Sequence, residues 1–461
     1  MNSRTSLAAA VLVFCTTAAS ATDLFQVWQA ARQHDPQGAI SQANRAAGGT
    51  RQEQAAALWR PNVGLSASAG WASAQSQMNG AQFAMPGSAP AGVSGASFGT
   101  SVSGGTVTRW ALNAKQALYN PERRAQSAQF LIAAQASEHE WQLAQQDWML
   151  QTTQRYFDAV LAERRLALVL QQQQAVDKAL TEAKDRFKLG DAPVTDIHEA
   201  QARAQALAAQ AIAVRNELDM ARQVLADVTG LSVQTLQLQA PGRVAVAATT
   251  EPLVNWLQRA EQSNPMLKMQ QAQAEAAQQD IEKHRAVALP TLDLVAQASR
   301  DRHSGSGDFG AASNTQSQQM VGVMLNVPLY TGGWRSAKLQ EATHLHDKAR
   351  AELARSRQQV AQMTRAAWQA VQSGQARLAA LDAAHAASQA RLDSTQLGRQ
   401  VGDRTTLDLL NAQNDASAAK LAWLHGQIEI LIAQLRLHAM AGQLDEAQLQ
   451  AVNSALVTEE Y

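Results

Sequence analysis

The amino-acid sequence predicts a membrane protein of mixed α+β class with an internal twofold repeat, four β-strands per chain and long α-helices. Three observations indicate this fold: landmarks that recur at nearly constant offsets, period-two segments in both halves, and two long helical stretches. Only 5% of the residues are aromatic. Alanine and glutamine recur throughout, which favours long packed helices over compact α/β modules.

The N-terminus predicts a secretory signal peptide that covers residues 1–21. Arg4 precedes an apolar run at 7–15, and Ala19-Ser20-Ala21 provides the small residues of a cleavage site. A charged start, an apolar core and small residues in this order are typical of exported proteins. We therefore expect the mature chain to begin at about Thr22.

Charge and cysteine content exclude several function classes. The sequence has 39 Lys+Arg and 39 Asp+Glu, so no net charge attracts it to nucleic acid. The one cysteine, Cys15, lies within the predicted signal peptide. The mature protein therefore has no disulfide, thiolate metal site or cysteine nucleophile. Because Phe14 precedes Cys15, where a lipid attachment site needs a small residue, we also expect no lipid anchor.

An internal repeat organises the chain. Pro36 and Pro61 recur as Pro265 and Pro290, in both cases 229 positions later. The pair Gly190-Asp191 recurs 212 positions later as Gly402-Asp403. The repeat predicts the following segments: a first repeat at 22–230, an equatorial linker at 231–251, a second repeat at 252–441 and a C-terminal tail at 442–461.

Each repeat contains two segments in which apolar residues alternate with polar ones. After Pro61, for example, apolar side chains occupy odd positions from Val63 to Trp71. This alternation is typical of strands with one apolar face, and about ten residues suffice for a tilted strand to cross a bilayer. The predicted strands cover about 62–71, 107–118, 291–299 and 320–329, and the predicted long exposed loops cover 72–105 and 300–318.

The strands indicate how the chain spans a membrane. No apolar run after the signal peptide approaches the roughly 18 residues of a membrane helix, so a spanning protein must use a β-barrel. Four strands cannot close a barrel when about eight is the usual minimum, which forces several chains to pool their strands. A hairpin on an ordinary soluble sheet is the alternative for any single strand pair. Aromatic residues fall near the strand ends, as membrane girdles do: Trp71 and Trp110 at the loop end, and Trp59, Tyr119 and Tyr330 at the other.

The remainder of each repeat predicts a long helical hairpin, at 121–229 and at 333–441. Residues 121–188 contain no interior Gly or Pro and would form a helix about 100 Å long. Shorter helices are predicted at 23–60 and 252–288. Gly190 and Gly402 stand where the long helices end, as left-handed C-terminal caps do. A soluble coiled coil is the alternative interpretation of the hairpins.

These features resemble the TolC-like family of trimeric outer-membrane ducts. The resemblance covers nearly the whole mature chain and lies in the order of its motifs: Asp35-Pro36, Leu289-Pro290, Val327-Pro328-Leu329-Tyr330, Phe187-Lys188-Leu189-Gly190 and Val401-Gly402-Asp403-Arg404-Thr405. It implies a twelve-stranded transmembrane barrel built by a homotrimer and continued by a helical tunnel in the periplasm. It also implies that the duct serves type I protein secretion or multidrug efflux, with a periplasmic adaptor, an inner-membrane ABC or proton-driven transporter and outer-membrane lipid as partners.

The resemblance further implies a periplasmic gate where the paired helix turns meet. In this family the residue matching Asp408 lines the narrowest point, and the residue matching Asp196 pairs with the one matching Arg404. Two positions depart from the family pattern: Asn411 replaces a second constriction carboxylate, and Arg399 replaces an aromatic gate residue. The turns themselves, Gly190, Asp191, Gly402 and Asp403, would face the adaptor. Independently of the family, Thr405-Thr406-Leu407-Asp408 fits a capping box.

Motifs of enzymes occur only in unsuitable contexts. Residues 95–99 match a nucleophile elbow and 305–310 a dinucleotide fingerprint, but neither follows a buried strand. Residues 417–420 match the start of a β-lactamase-type site but lie within a predicted helix. His344 and His346 are two apart and would point away from each other on a helix. We therefore predict no enzyme activity, no metal and no cofactor.

A periplasmic helical-hairpin adaptor or scaffold is the second function that the sequence allows. Such a protein would share the export signal and the long helices. It would carry one hairpin among small β-modules, whereas this chain has two hairpins, each preceded by period-two strands.

Overall fold

The computed structural model describes residues 22–81, 96–190, 193–233, 236, 238–242, 251–307 and 310–457. The predicted signal peptide and Asp191 lie outside these residues. No described helix carries an apolar segment long enough to cross a lipid bilayer. Along the chain the elements are α1 (Leu24–His34), α2 (Pro36–Ala57), β1 (Asn62–Ala81), β2 (Ala96–Tyr119), α3 (Pro121–Lys188), α4 (Val194–Thr229), β3 (Ala240–Pro241), α5 (Leu253–Ser263), α6 (Pro265–Ala286), β4 (Thr291–Gly307), β5 (Gly310–Asn326), α7 (Trp334–Gln400), α8 (Thr406–Met440), α9 (Glu446–Asn453) and β6 (Leu456–Val457).

The long helical hairpins form as the sequence predicts. α3 is 68 residues long and α7 is 67 residues long, and each is followed by a return helix of about half that length, α4 and α8. Both long helices are nearly unbroken runs of good helix formers, and packing against neighbouring helices supplies most of their stability. The hairpin boundaries lie within one residue of the predicted ones at Pro121, Thr229 and Met440.

The shorter helices differ from the prediction because each is divided by a proline. The predicted helix at 23–60 ends at His34 and restarts at Pro36, and its counterpart ends at Ser263 and restarts at Pro265. Proline disfavours helical backbone in the preceding residue, and Asp35 and Asn264 are accordingly extended. Their side chains accept hydrogen bonds from the backbone of the new helices, at Gln37 N and Leu267 N.

The four membrane-type strands form one antiparallel sheet in the order β1-β2-β4-β5. The central β2–β4 pairing therefore joins the two sequence repeats. β1 and β2 are paired from Asn62 opposite Lys115 to Ala81 opposite Ala96. β4 and β5 are paired from Thr291 opposite Asn326 to Gly307 opposite Gly310.

The strands are longer than the sequence predicts, and the prediction of long loops at 72–105 and 300–318 is wrong for the described residues. β1 continues to Ala81, β2 already begins at Ala96, and β4 and β5 pair throughout 300–307 and 310–317. Glycine, serine and glutamine have weak preferences for strands. Their backbone N–H and C=O groups nevertheless form inter-strand hydrogen bonds when a neighbouring strand is present. β5 ends at Asn326, before Pro328, because proline cannot donate a ladder hydrogen bond.

The two faces of the sheet differ in polarity. Register places one set of side chains on a common face, called here the apolar face: Val63, Leu65, Ala67 and Trp71 on β1, Trp110, Leu112 and Ala114 on β2, Leu292, Leu294, Ala296 and Ala298 on β4, and Val321, Val323 and Leu325 on β5. Leu65 is 72% exposed and Val323 is 61% exposed. The opposite face carries Asn113, Gln297 and the ion pair between Lys115 Nζ and Asp293 Oδ2, 2.9 Å apart.

A register shift near the end of β2 determines which residue continues the apolar face there. Ala117 is opposite Asp293 and Tyr119 is opposite Leu292, so Leu118 is the extra residue of a bulge. Tyr119, rather than Leu118, therefore continues the apolar face. Bulges re-aim side chains at the rims of sheets, and here the shift turns a tyrosine toward the apolar side.

Contacts divide the described chain into two units that differ from the sequence repeats. One unit comprises 48–135 and 272–351 and includes the sheet; the other comprises the remaining segments and includes the helix turns. Each repeat contributes to both units, and the repeat boundaries at 230 and 252 stay a prediction. Within the predicted tail, β6 pairs with β3, so part of the tail belongs to the second unit.

The second unit has a hydrophobic core where α1, α3, α4, α8 and α9 contact one another. Trp28 and Trp148 pack edge to face with ring centroids 4.9 Å apart. The Trp148 indole N–H donates to Asp35 Oδ2 at 2.8 Å. The hydroxyl of Tyr156 donates to the carbonyl of Gln239 at 2.9 Å, and burial raises the pKa of this phenol. The indole N–H of Trp148 and the hydroxyl of Tyr156 are thus hydrogen-bonded, as is usual for polar groups in a dry interior.

Two glycines of this unit should respond oppositely to alanine. Gly442 has φ +68° and approaches the Ser263 carbonyl so closely that an added Cβ would lie 2.3 Å from its oxygen. Gly374 lies within α7, where a Cβ would meet Ile430 at an ordinary 3.5 Å. We expect Gly442→Ala to lower the free energy of unfolding by about 2–4 kcal/mol. Gly374→Ala should raise it by about 0.5–1 kcal/mol. Thermal melts of the detergent-solubilised protein check this, and equal melting temperatures for both variants would contradict it.

Candidate functional site

The turns between the long helices and their return helices have the predicted left-handed glycines. Gly190 has φ +75° and Gly402 has φ +84°. At the second turn, Asp403 N donates to the Gly398 carbonyl at 2.8 Å and Gly402 N donates to the Arg399 carbonyl at 3.1 Å. These two hydrogen bonds form a Schellman motif. They provide donors for backbone carbonyls that would otherwise lack a hydrogen-bond partner at the helix end. The prediction of glycine caps is confirmed at both turns.

Asp408 caps the first turn of α8, as the capping-box pattern predicts. Its carboxylate accepts hydrogen bonds from Thr405 N at 3.0 Å and from Thr405 Oγ1 at 2.9 Å. Asp408 N in turn donates to Thr405 Oγ1 at 3.1 Å. The backbone and hydroxyl of Thr405 hold the pKa of Asp408 below its ordinary value, and the cations of Arg404 and Arg391 act in the same direction. The side chain is therefore an ionised, partly exposed carboxylate at neutral pH.

Asp196 and Arg404 line one cleft of about 520 Å³ between the two hairpin turns. They form no ion pair within the described residues of a single chain. The hydroxyl of Thr195 donates to Asp196 at 3.5 Å. The stem of Arg404 lies against Gly398, where an added Cβ would be 2.8 Å from Arg404 Cγ. Asp196 and Arg404, which the family resemblance pairs, thus line the same cleft. Within one chain, Asp196 contacts Thr195 and Arg404 contacts Gly398 instead of each other.

Two polar contacts join the hairpins beside this cleft. Arg399 at the end of α7 forms an ion pair with Glu182 of α3. Arg203 of α4 donates a hydrogen bond to the side-chain oxygen of Asn411 on α8. Leu410 packs beneath them in an apolar cluster that is shared by α3, α4 and α8, and the cluster consists of Val176, Ala179, Ala204 and Leu410. The first hairpin is therefore held to the second by polar contacts around an apolar centre.

Glu182 and Arg203 were missed by reasoning from the sequence. Both lie on the first hairpin and contact exactly the two positions, Arg399 and Asn411, at which the sequence departs from the family pattern. The sequence signal that could have revealed these contacts is the change of charge at positions 399 and 411. A charge that is gained or lost at a packed turn requires a different partner residue. The sequence offers no means of identifying that partner, since the contacts join residues more than 200 positions apart.

The predicted aromatic girdle is distributed over strands and flanking turns. Trp71 is opposite Thr106, Trp110 is opposite Ala67, and both belong to the apolar face together with Tyr119. Tyr330 is 88% exposed but follows the end of β5. Trp59 is half-buried in the turn after α2. Exposed tryptophans on an apolar sheet face are typical of the interface between lipid tails and headgroups.

Comparison with known proteins shows which family the chain resembles. Residues 256–443 match the model of the outer membrane efflux protein family. The chain is 26% identical over 452 residues to the outer membrane protein TolC of Escherichia coli strain K12, covering 95% of this chain and 85% of that protein. These matches support the resemblance to the TolC family.

Further comparisons agree with this assignment. The alkaline protease secretion protein AprF of Pseudomonas aeruginosa is 26% identical over 351 residues, covering 76% of this chain and 72% of that protein. The crystal structure of the outer membrane protein VceC from Vibrio cholerae has the same fold, with a TM-score of 0.69 at 18% identity and coverage of 91% and 96%.

The relatives are outer membrane proteins, and this protein likewise resides in the outer membrane. Its fold class is that of the trimeric outer-membrane channels, mostly helical with one four-stranded sheet in each chain. The predictions of family, fold class and location from the sequence are therefore confirmed. The roles predicted for Asp196, Arg399, Arg404, Asp408 and Asn411 are not tested by these comparisons and stay predictions.

Proposed function

We propose that this protein is the passive outer-membrane exit duct for type I protein secretion or multidrug efflux. The exposed apolar face of the four-stranded sheet carries this proposal, because an apolar face that extends over all four strands is suited to lipid. A helical-hairpin adaptor does not require a four-stranded sheet with an exposed apolar face. The duct catalyses no reaction, and an inner-membrane transporter supplies the energy for export.

The duct requires a closed resting state, and the cleft at the helix turns is the proposed gate. Three Asp408 carboxylates would surround the axis of the trimer and favour cations over anions at the constriction. Asn411 contributes no charge, so the ring carries three charges. The ion pair between Arg399 and Glu182 replaces the aromatic contact that the family resemblance implies. This ion pair holds the two hairpins of one chain together in the closed state.

The proposed partners follow from the same helix turns. The turns around Gly190, Asp191, Gly402 and Asp403 are the proposed contact for a periplasmic adaptor. Leu189 and Val401 support this role, because these neighbouring side chains are 83% and 74% exposed at the tips of the two hairpins. Exposed apolar residues at a helix tip fit a partner that packs its own helix tips against them.

Epitope insertion tests the topology on which this function depends. We expect a tag inserted after Gly307, between β4 and β5, to label on intact cells, because in the proposed orientation this end of the two strands faces the exterior. A tag after Gly402 should label only after the outer membrane is permeabilised. Both tagged proteins must still form heat-labile trimers as a control. Surface labelling after Gly402 and none after Gly307 would contradict the proposed orientation.

A further inference from the structure

The described strands contain four arginines and lysines but only two carboxylates. The cations are Arg109, Lys115, Arg300 and Arg302, and the carboxylates are Asp293 and Asp301. Both carboxylates are already paired, since Arg109 Nε lies 2.7 Å from Asp301 Oδ1 and Lys115 pairs with Asp293. The guanidinium groups of Arg300 and Arg302 have no ion-pair or hydrogen-bond partner among the described residues.

The register places the two unpaired arginines on the apolar face. Arg300 is directly opposite Trp110 on β2 and Ser317 on β5. Because side chains alternate along a strand, Arg302 lies on the same face about 7 Å further toward the hairpin tip. Both arginines are exposed. The paired Arg109 and Asp301 lie on the opposite face.

Neighbouring side chains complete a patch of hydrogen-bond donors. Thr108 and Thr315 are opposite Arg302, and Ser317 is opposite Arg300. The patch borders the apolar residues that end at Ala298, and Trp110 lies at the border. None of the carboxylates of the described strands faces this side. A guanidinium pair with hydroxyl groups, placed where an apolar band ends, matches a phosphate attached to a lipid.

We propose that Arg300 and Arg302, with Thr108, Thr315, Ser317 and Trp110, form a binding site for the phosphate-bearing headgroup of an outer-leaflet lipid. The guanidinium groups bind the phosphate in charge-assisted hydrogen bonds, and the indole packs where the acyl chains begin. The site fixes the height of the barrel in the bilayer. It depends on the outer-membrane location of the sheet and is independent of the gate and of the exported cargo.

Lipid titration of the purified trimer tests the site. Native mass spectrometry counts bound diphosphoryl lipid A, and its dephosphorylated form serves as the comparison lipid. We expect the wild-type trimer to prefer the phosphorylated lipid, and Arg300→Gln/Arg302→Gln to bind it at least about tenfold more weakly. Each single variant should bind the phosphorylated lipid about threefold more weakly than wild type. Arg109→Gln/Asp301→Asn removes charges from the opposite face of the same strands and should bind within about twofold of wild type.

Three outcomes would overturn the proposal. The first is unchanged binding by a double variant that retains the heat-labile trimer. The second is equal binding of phosphorylated and dephosphorylated lipid by wild type, which would mean that only the apolar face is recognised. The third is displacement of the lipid by inorganic phosphate alone, which would assign the arginines to free anions. Should the double variant fail to assemble, the two single variants decide between the same outcomes.

Discussion

Reversing the charge of Glu182 should open the channel. We expect Glu182→Arg trimers in planar lipid bilayers to occupy the high-conductance state roughly tenfold more often than wild type. The reason is that Arg399, which now pairs with Glu182 across the two hairpins, would face a second cation. A partly exposed pair contributes about 0.5 kcal/mol, and three copies in a trimer shift the ratio of closed to open states by roughly tenfold.

The charge swap makes this prediction specific to the pair. Arg399→Glu alone should open the channel to a similar extent, and Glu182→Arg/Arg399→Glu should restore low conductance. Arg391→Glu is the matched control, because Arg391 pairs with Asp415 at 2.9 Å within the second hairpin and does not join the hairpins. A double variant that conducts like either single variant would contradict the role of the pair, and so would an equally open Arg391→Glu channel.

Removing the Asp408 charge should weaken the preference for cations. We expect Asp408→Asn to lower the ratio of cation to anion permeability several-fold and to weaken block by multivalent cations. A monovalent ion about 6 Å from one carboxylate gains about 0.7 kcal/mol in water, and salt screening reduces this value. Three carboxylates at one constriction therefore account for a several-fold change.

Asp408 also caps α8, and a second variant separates the two roles. Thr405→Ala removes the capping hydroxyl and leaves the carboxylate, so it should destabilise the helix start by about 1 kcal/mol without changing selectivity. Reversal potentials in a salt gradient provide the measurement. Unchanged selectivity in Asp408→Asn, together with a lowered melting temperature, would show that the aspartate serves only as a cap.

The pH dependence follows from the lowered pKa of Asp408. Its folded-state pKa lies below the ordinary value of 3.8. The contribution of the carboxylate to the cap is therefore fully present above the ordinary pKa and is lost as pH falls through the folded-state value. Cation preference should accordingly stay constant from about pH 5 to 8 and decrease only below about pH 4.

The sequence predicted the helices more accurately than the strands, for physical reasons. α3 occupies exactly the predicted 121–188, because Pro121 starts the helix and Gly190 caps its end within two residues. Residues 72–81 of β1 and 300–307 of β4, which lie beyond the predicted strands, are rich in glycine, serine and glutamine. This composition is typical of loops. These segments form strands because a partner strand is present, and pairing between distant segments is invisible to local composition.

The candidate gate was predictable in part. The capping box of Asp408 and the glycine turns are local and were read from spacing alone. The contacts of Arg399 and Asn411 join separate hairpins, so the identity of Glu182 and Arg203 as partners required the structure. Arg300 and Arg302 were hidden for another reason: they lie in a segment interpreted as a loop, where alternation between two faces has no meaning.

The central claim is that three chains pool their four-stranded sheets into one pore in the outer membrane. Native mass spectrometry of the protein extracted from outer membranes tests this claim most directly. We expect a single assembly of three mature chains that dissociates on heating, because four strands per chain leave unpaired edges until the barrel closes. A monomer released from the periplasm by osmotic shock, or an extracted assembly of two or four chains, would contradict the account.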